Sequence, residues 1–418
     1  MNNFTAVILA AGLGTRMKTD TPKVLHLVGN ETMLGRTIHS LRKAGIDDII
    51  VVVGYKADII EQYFEDVRFA RQPELLGSGD ALAHAVDYMP EGPGSVLVTC
   101  GDTPLITEET YRALAGEHRK AKASCTLLTA HLDDPNSYGR IVRDKKDAVC
   151  KIVEEKDATK KEKQISEINV GTYCFQKADL KRFIRDIELN EKKKEFYLTD
   201  IVDILTKNGK KIRSRECDPE EMIGINSRKD LAVANSILNK NTLERAMAEG
   251  VTVVDLGTTR IDETAVIGKD TVICPNTVIE QDVEIGTGCQ IGPFARLRPG
   301  TRVSQDVKIG NFVELSRAKI GQGSAVKHHT YLGDAEVGKN VNIGAGTITA
   351  NYDGSEKHGT VIGDDAMIGA GVILIAPVKV GKKARIGAGS VVTKKKNVPD
   401  GTTVVGVPAR TVAGNKKK

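Results

Sequence analysis

The 418-residue chain has no tryptophan, and aromatic residues make up only 4% of it. Proteins that hold single-stranded nucleic acid stack successive bases on aromatic side chains, so that class has little to work with here. The formal net charge of +5 is small for the length. Lysine runs at 192–194, 394–396 and 416–418 sit in polar surroundings and read as solvated surface rather than a nucleic-acid track. The seven cysteines are scattered, odd in number and without a C-x-x-C pair. That argues against a disulfide frame or structural zinc and for a reducing compartment. The first apolar run, 6–11, is too short for a membrane span or a signal sequence and lacks a basic start. A cytoplasmic location without a membrane span is expected.

What the chain does have is a period of six. Ile267, Ile273, Ile279, Ile285, Ile291, Leu297, Val303, Ile309 and Leu315 fall at every sixth position. The phase slips by one at Ile320, slips again at Val337, and after an interruption returns from Ile362 to Val392. Neither a helix of period 3.6 nor one long strand of period 2 needs this spacing. A prism of short parallel strands does, because each face contributes one inward aliphatic side chain per turn. A hexapeptide β-helix is therefore expected over the C-terminal third.

The first half alternates differently. Strands are expected at 4–10, 48–53 and 95–100, and helices at 35–44, 57–64 and 79–88, which implies a mostly parallel sheet covered on both faces. Ligands of such sheets gather beyond the carboxyl ends of strands. A helical stretch follows at about 228–249, opened by a capping-box pattern at Ser227–Asp230 and closed by Gly250. The expected boundaries are 1–227, a connector 228–250, and 251–418.

The loop after the first strand reads Leu9-Ala10-Ala11-Gly12-Leu13-Gly14-Thr15-Arg16-Met17, then Pro22-Lys23. Two glycines let backbone N–H groups approach phosphate oxygens, and Arg16 and Lys23 add positive charge. A tight turn would read the same way. A dinucleotide fingerprint fails at Met17, and a Walker A loop fails for want of G-K-[S/T]. The whole string resembles the signature of sugar-nucleotide pyrophosphorylases, L-x-x-G-x-G-T-R-M with a later P-K. Gln72 with Leu76-Gly77-Ser78-Gly79, Gly101-Asp102 with Pro104-Leu105, Tyr138-Gly139-Arg140, Glu154-Glu155-Lys156, Asn169-Val170-Gly171, Tyr197-Leu198-Thr199-Asp200 and Gly224-Ile225-Asn226 follow in family order.

Joined to a hexapeptide repeat, the chain resembles the bifunctional pyrophosphorylase–acyltransferase family over nearly its whole length. That resemblance implies a Rossmann-like mixed α/β nucleotidyltransferase domain and a left-handed parallel β-helix that assembles as a homotrimer. It implies small-molecule substrates: acetyl transfer from acetyl-CoA to glucosamine 1-phosphate, then UMP transfer from UTP to N-acetylglucosamine 1-phosphate. A uridylyltransferase whose β-helix only trimerises, or acetylates another amino-sugar phosphate, is the alternative. By resemblance, Leu9, Ala11, Gly12, Gln72, Gly77 and Ser78 hold the uridine. Asp102 and Asn226 hold Mg²⁺. Gly139, Glu154, Asn169 and Thr172 hold the sugar, and Arg16 and Lys23 neutralise the phosphates. Lys156 reads equally as surface or substrate contact, and Arg140 as a salt-bridge partner.

Two segments break the six-residue pattern, 328–331 and 350–360, and irregularities in a solenoid are where function concentrates. The family pattern H-x-T-Y puts the general base on His328 rather than His329. The resemblance assigns Arg298, Ser316, Tyr331, Asn342 and Lys357 to glucosamine 1-phosphate, and Ala345, Asn351, Tyr352, Ala370 and Ala388 to acetyl-CoA. The chain departs from the family in three places. Ser316 stands where the family has Lys, and Val405-Gly406-Val407-Pro408-Ala409-Arg410 stands where it has an Arg for the CoA 3′-phosphate. The β-helix start, 252–290, is short. Ser316 offers one hydrogen bond without charge. Arg317 can compensate only if the phase slip before Ile320 turns it round.

Overall fold

The computed structural model describes residues 3–412, so the lysines at 416–418 lie outside the described residues. The chain divides into two compact units, Met1–Asn235 and Ser236–Lys418. The boundary falls inside the helix Arg228–Ala248.

In the first unit one sheet runs in the order Ile212–Glu216, Cys125–His131, Glu167–Gln176, Ser95–Cys100, Phe4–Leu9, Asp48–Val53, Arg68–Arg71. Alternate side chains of the central strands enter different cores. Val7, Ile50, Val52, Val96 and Val98 join one cluster, and Ala6, Ile8, Ile49, Val51 and Leu97 the other. That is the two-sided burial a covered parallel sheet requires. Strands 48–53 and 95–100 lie where expected, and the first ends at Leu9. The first expected helix begins earlier, at Met33, because Thr32 caps it by accepting from Gly35 N–H at 3.0 Å. The second is shorter, Ala57–Glu61, and the third is Ser78–Val86. Glu167–Gln176 lies antiparallel to both its neighbours, which makes the sheet mixed.

The second unit is a parallel β-helix. Ile273 pairs with Ile291 and Ile291 with Ile309, eighteen residues to a turn. Ile309, Val326 and Ile343 follow at seventeen. The step from Ile343 to Ile368 is twenty-five, and eighteen returns at Ile386 and Val404. The two phase slips are thus two short turns, and the interruption is one long turn. The aliphatic residues of the repeat form a single core. The chain reverses after Thr403–Val405, and the last strand, Arg410–Thr411, pairs antiparallel with it.

Glycines sit where turns stack too closely for a side chain. A Cβ on Gly310 would lie 2.0 Å from the carbonyl oxygen of Lys327 in the next turn. A backbone atom cannot rotate away, so Gly310→Ala should cost about 3 kcal/mol, the upper range for overpacking. Thermal melting by circular dichroism should show a clear fall in Tm.

Candidate active sites

In the first unit, Leu9 pairs with Cys100, and Gly101 N–H donates to Leu9 C=O at 3.0 Å. The glycine loop and Asp102 therefore leave the sheet side by side, beyond the strand ends. Gly14 has φ 62°, and a Cβ there would lie 2.7 Å from Lys23 Cβ. Only glycine lets Lys23 fold back under the loop. Its Nζ donates to Asp102 Oδ2 and, at 3.1 Å, to Asn226 Oδ1. Asn226 is aimed by its own Nδ2, which donates to Gly224 C=O at 3.3 Å. The capping box holds the backbone beneath it: Asn226 and Ser227 N–H donate to Asp230 Oδ2 at 3.0 and 2.8 Å. Two oxygen donors, a carboxylate and an amide, thus converge on one cation. A carboxylate and an amide oxygen are also the kind of ligand a hard divalent ion takes.

Gln72 is buried, and its Nε2 donates to Gly77 C=O at 3.0 Å and to Asp80 at 2.7 Å, which leaves its amide oxygen as the free acceptor. Gly77, at φ 102°, lets the loop pass under Phe196 C=O. Ser78 Oγ accepts from Leu198 N–H at 3.2 Å. Gly139, Glu154 and Asn169 come together, since a Cβ on Gly139 would meet Glu154 Oε1 at 3.6 Å and Asn169 Cβ at 3.7 Å. Burial pushes the Glu154 carboxyl up, and Thr199 Oγ1, donating to it at 2.9 Å, holds it down. Burial and then Glu154 push Asp200 up to about 6.

Arg16 is exposed on the loop and joins neither cluster. Thr172 is fully buried and bonds Thr99 Oγ1 at 2.9 Å, so it has no surface to offer a sugar. Arg140, also buried, pairs with Glu155 at 2.6 Å and is structural. Lys156 is exposed.

In the second unit, His328 is exposed, and its Nδ1 lies 2.9 Å from Asn311 Oδ1. Asn311 carries no motif. It stands one turn earlier in register, and that offset is the signal that would have found it. Arg298 Nη1 donates to Glu314 Oε1 at 2.9 Å, and Glu314 is in register with Tyr331. Asn351 Nδ2 donates to Asp334 Oδ2 at 2.5 Å, and Lys357 is close enough to help hold the Asp334 carboxyl down, behind Arg317 and Asn351. Tyr352 is exposed and bridges Lys357 in a small hairpin. Asn342 stands on a different face, in register with Ala325 and Met367. Ala345, Ala370 and Ala388 continue the corner above His328, since Gly346 N–H donates to His328 C=O, Gly371 N–H to Ala345 C=O and Gly389 N–H to Ala370 C=O. Arg410 lies opposite Val405 in the last hairpin.

Ser316 corrects the sequence reading. It is 1% exposed, and its hydroxyl accepts from Arg317 Nη1 at 3.1 Å, so it is not a direct phosphate contact. Arg317 sits at φ 48°, and its guanidinium lies over Ser316 and also grips Asp334 at 2.6 and 2.9 Å. A positive charge thus stands beside Ser316, paired with the Asp334 carboxylate. Ser316→Lys should bury an ammonium beside a guanidinium and cost roughly 2–5 kcal/mol. Calorimetry should show a lower Tm, and the KM for the amino sugar should not improve.

A nucleotidyltransferase sheet with a cation cluster at its strand ends, and a hexapeptide β-helix with an exposed histidine at a broken turn, define a two-domain transferase. Residues 6–152 match the MobA-like NTP transferase domain. Residues 264–299 and 359–394 match the bacterial transferase hexapeptide, and 335–376 the hexapeptide repeat of succinyl-transferase. The bifunctional protein GlmU of Pelotomaculum thermopropionicum is 46% identical over 412 residues, 90% of each chain. That of Geotalea uraniireducens is 42% identical over 90% of this chain and 91% of its own. That of Caldanaerobacter subterraneus is 41% identical over 100% and 97%. Among solved structures, a putative glucose-1-phosphate thymidylyltransferase from Bacillus anthracis has a TM-score of 0.47 at 22% identity, over 56% of this chain and 94% of that one. The chain belongs to the family of bifunctional GlmU proteins, and it is a nucleotidyltransferase and acyltransferase in one polypeptide. Among the described residues no helix is long and apolar enough to cross a membrane.

Proposed function

We propose that the second unit transfers acetyl from acetyl-CoA to glucosamine 1-phosphate, and that the first then joins the product to UMP from UTP. The observation that supports this is the presence of two separately built polar clusters, one in each unit. In the acetyl step the amine nitrogen bonds to the thioester carbonyl carbon, the C–S bond breaks, and the CoA sulfur leaves. With Asn311 Oδ1 accepting from Nδ1–H, His328 Nε2 carries the lone pair that takes the amine proton. Arg298, Tyr331 and Lys357, with Arg317 beside the buried Ser316, orient the sugar phosphate, and Asn351, Tyr352 and the alanine corner receive the acetyl-CoA.

In the uridylyl step a phosphate oxygen of N-acetylglucosamine 1-phosphate bonds to the α-phosphorus of UTP, and pyrophosphate leaves with the bridging oxygen. Gln72, Gly77 and Ser78 place the uracil. Gly139, Glu154 and Asn169 place the sugar. Lys23 and Arg16 offset the charge of the phosphates, so the barrier falls by positioning and electrostatics. Asp102 and Asn226 would hold Mg²⁺, which supplies further charge neutralisation when bound. The test is to incubate the protein with glucosamine 1-phosphate, acetyl-CoA, UTP and Mg²⁺ and weigh the products. Both the acetylated sugar phosphate and its UDP conjugate are expected, and omitting UTP should stop the sequence at the first. A single product with all reagents present would sink the two-step reading.

The β-helix is proposed to assemble as a trimer in the cytoplasm. Residues 252–418 expressed alone should scatter light as a trimer with a β-rich circular dichroism spectrum. A monomeric or helical product would refute this.

A further inference from the structure

One corner of the β-helix changes character at His328. The position after it is held in the left-handed region in successive turns, which bulky residues avoid and glycine accepts. Above His328 the position is glycine: Gly346, Gly371 and Gly389, at φ 74°, 67° and 69°. A Cβ on Gly346 or Gly371 would meet only the next glycine, at 3.6 or 3.9 Å, and one on Gly389 nothing within 4 Å. At and below His328 the position is a ring: His329, Phe312 and Phe294, at φ 45°, 56° and 55°. The three rings stack, His329 on Phe312 at 5.0 Å and Phe312 on Phe294 at 5.2 Å. Phe312 and Phe294 remain half-exposed, 52% and 49%, so burial does not explain why three large residues accept this backbone. The open strip therefore ends against a wall of stacked rings, at the level of His328.

We propose that His329, backed by Phe312, is a specificity-determining residue that limits the transferred acyl group to acetyl. This rests on the reading of Ala345, Ala370 and Ala388 as contacts of the acyl donor. A thioester laid along the strip with its carbonyl at His328 points its acyl carbon past the last glycine, toward the imidazole of His329. Each added methylene must displace a ring that is itself held by the ring below. A hydrophobic site that rejects one methylene discriminates by about 10–200-fold. His329 does no proton transfer in this role. Its ring supplies shape, so an unrelated ring of similar size should serve.

The experiment measures kcat/KM of the full-length protein for acetyl-CoA, propionyl-CoA and butyryl-CoA with glucosamine 1-phosphate as acceptor, in the wild type, His329→Gly and His329→Phe. Glycine suits the left-handed backbone and removes the wall. Phenylalanine keeps it. The wild type should prefer acetyl over propionyl by about 10–200-fold. His329→Gly should narrow that ratio at least about tenfold, and His329→Phe should keep the wild-type ratio. An unselective wild type, an unchanged ratio in His329→Gly, or a Phe variant as permissive as the Gly variant would overturn the proposal. So would loss of the native oligomer in His329→Gly by light scattering, since the rings would then be a subunit contact. If His329→Gly does not fold, Phe312→Asn, which also tolerates this backbone, removes the backing ring and should narrow the ratio likewise. A wild type that turns over no acyl-CoA would instead remove the acyl-donor reading itself, a failure separate from unchanged selectivity.

Discussion

His328→Ala should lower kcat for acetyl transfer by roughly 10²–10⁴-fold, the usual worth of a positioned general base. The exposed imidazole is held through Nδ1 by Asn311 Oδ1 at 2.9 Å, which leaves its other nitrogen to take the proton of the proposed amine substrate. Uridylyl transfer, carried by other residues in the other unit, should keep its rate when supplied with N-acetylglucosamine 1-phosphate. The adjacent His329 is stacked on Phe312 and has no such partner among the described residues. His329→Ala should cost the acetyl-CoA reaction far less. If steady-state assays rank the two histidines the other way, the base is His329 and the assignment is off by one residue. Asn311→Ala should fall between them, because the ring loses the partner that orients it.

Asp102→Asn should cut UDP-sugar formation by roughly 10²–10³-fold and leave acetyl transfer nearly intact. The carboxylate and Asn226 Oδ1 are the two oxygens that meet at Lys23 Nζ. Replacing the anion with an amide removes the ion pair that holds Lys23 and, on the proposed role, the charged ligand for Mg²⁺. Metal-assisted charge stabilisation is worth several kcal/mol, and each 1.4 kcal/mol is tenfold in rate. The loss should ease partly as Mg²⁺ is raised, since a weakened site fills at higher concentration. Equal damage to both half-reactions, measured separately, would contradict two independent sites.

How much of this was legible depended on whether a residue's role recurs. Inward positions of the β-helix must be filled at every turn, so a period of six shows them. The pattern fails at Thr349, which is buried at an inward position. Its hydroxyl exchanges hydrogen bonds with Gly333, accepting from N–H at 2.8 Å and donating to C=O at 3.1 Å. A threonine there satisfies the wall by bonding, which an aliphatic count cannot see. The antiparallel strand Glu167–Gln176 was hidden for a different reason. A fully buried run looks alike in either direction, and direction is set by partners far along the chain. The pairing of Lys23 with Asp102 and Asn226 joins residues with no shared spacing, and only the family string pointed to them. Ser316 misled because strand alternation was assumed to hold through a corner, and the one-residue slip removes that alternation there.

The terminal hairpin carries a consequence for how the molecule keeps to itself. A stack of parallel turns grows by adding one more set of hydrogen-bonding strands to its end, and a second molecule can supply that set as readily as the chain can. Here Arg410–Thr411 lies antiparallel beside Thr403–Val405, so the free edge of that strand is taken by one running the other way. A further parallel turn would find the donors and acceptors of that edge already engaged. The reversal breaks the parallel repeat on that face, as a rest breaks a repeated figure in music. Its sequence, the run from Gly406 to Arg410, belongs to that ending as well as to any ligand it touches.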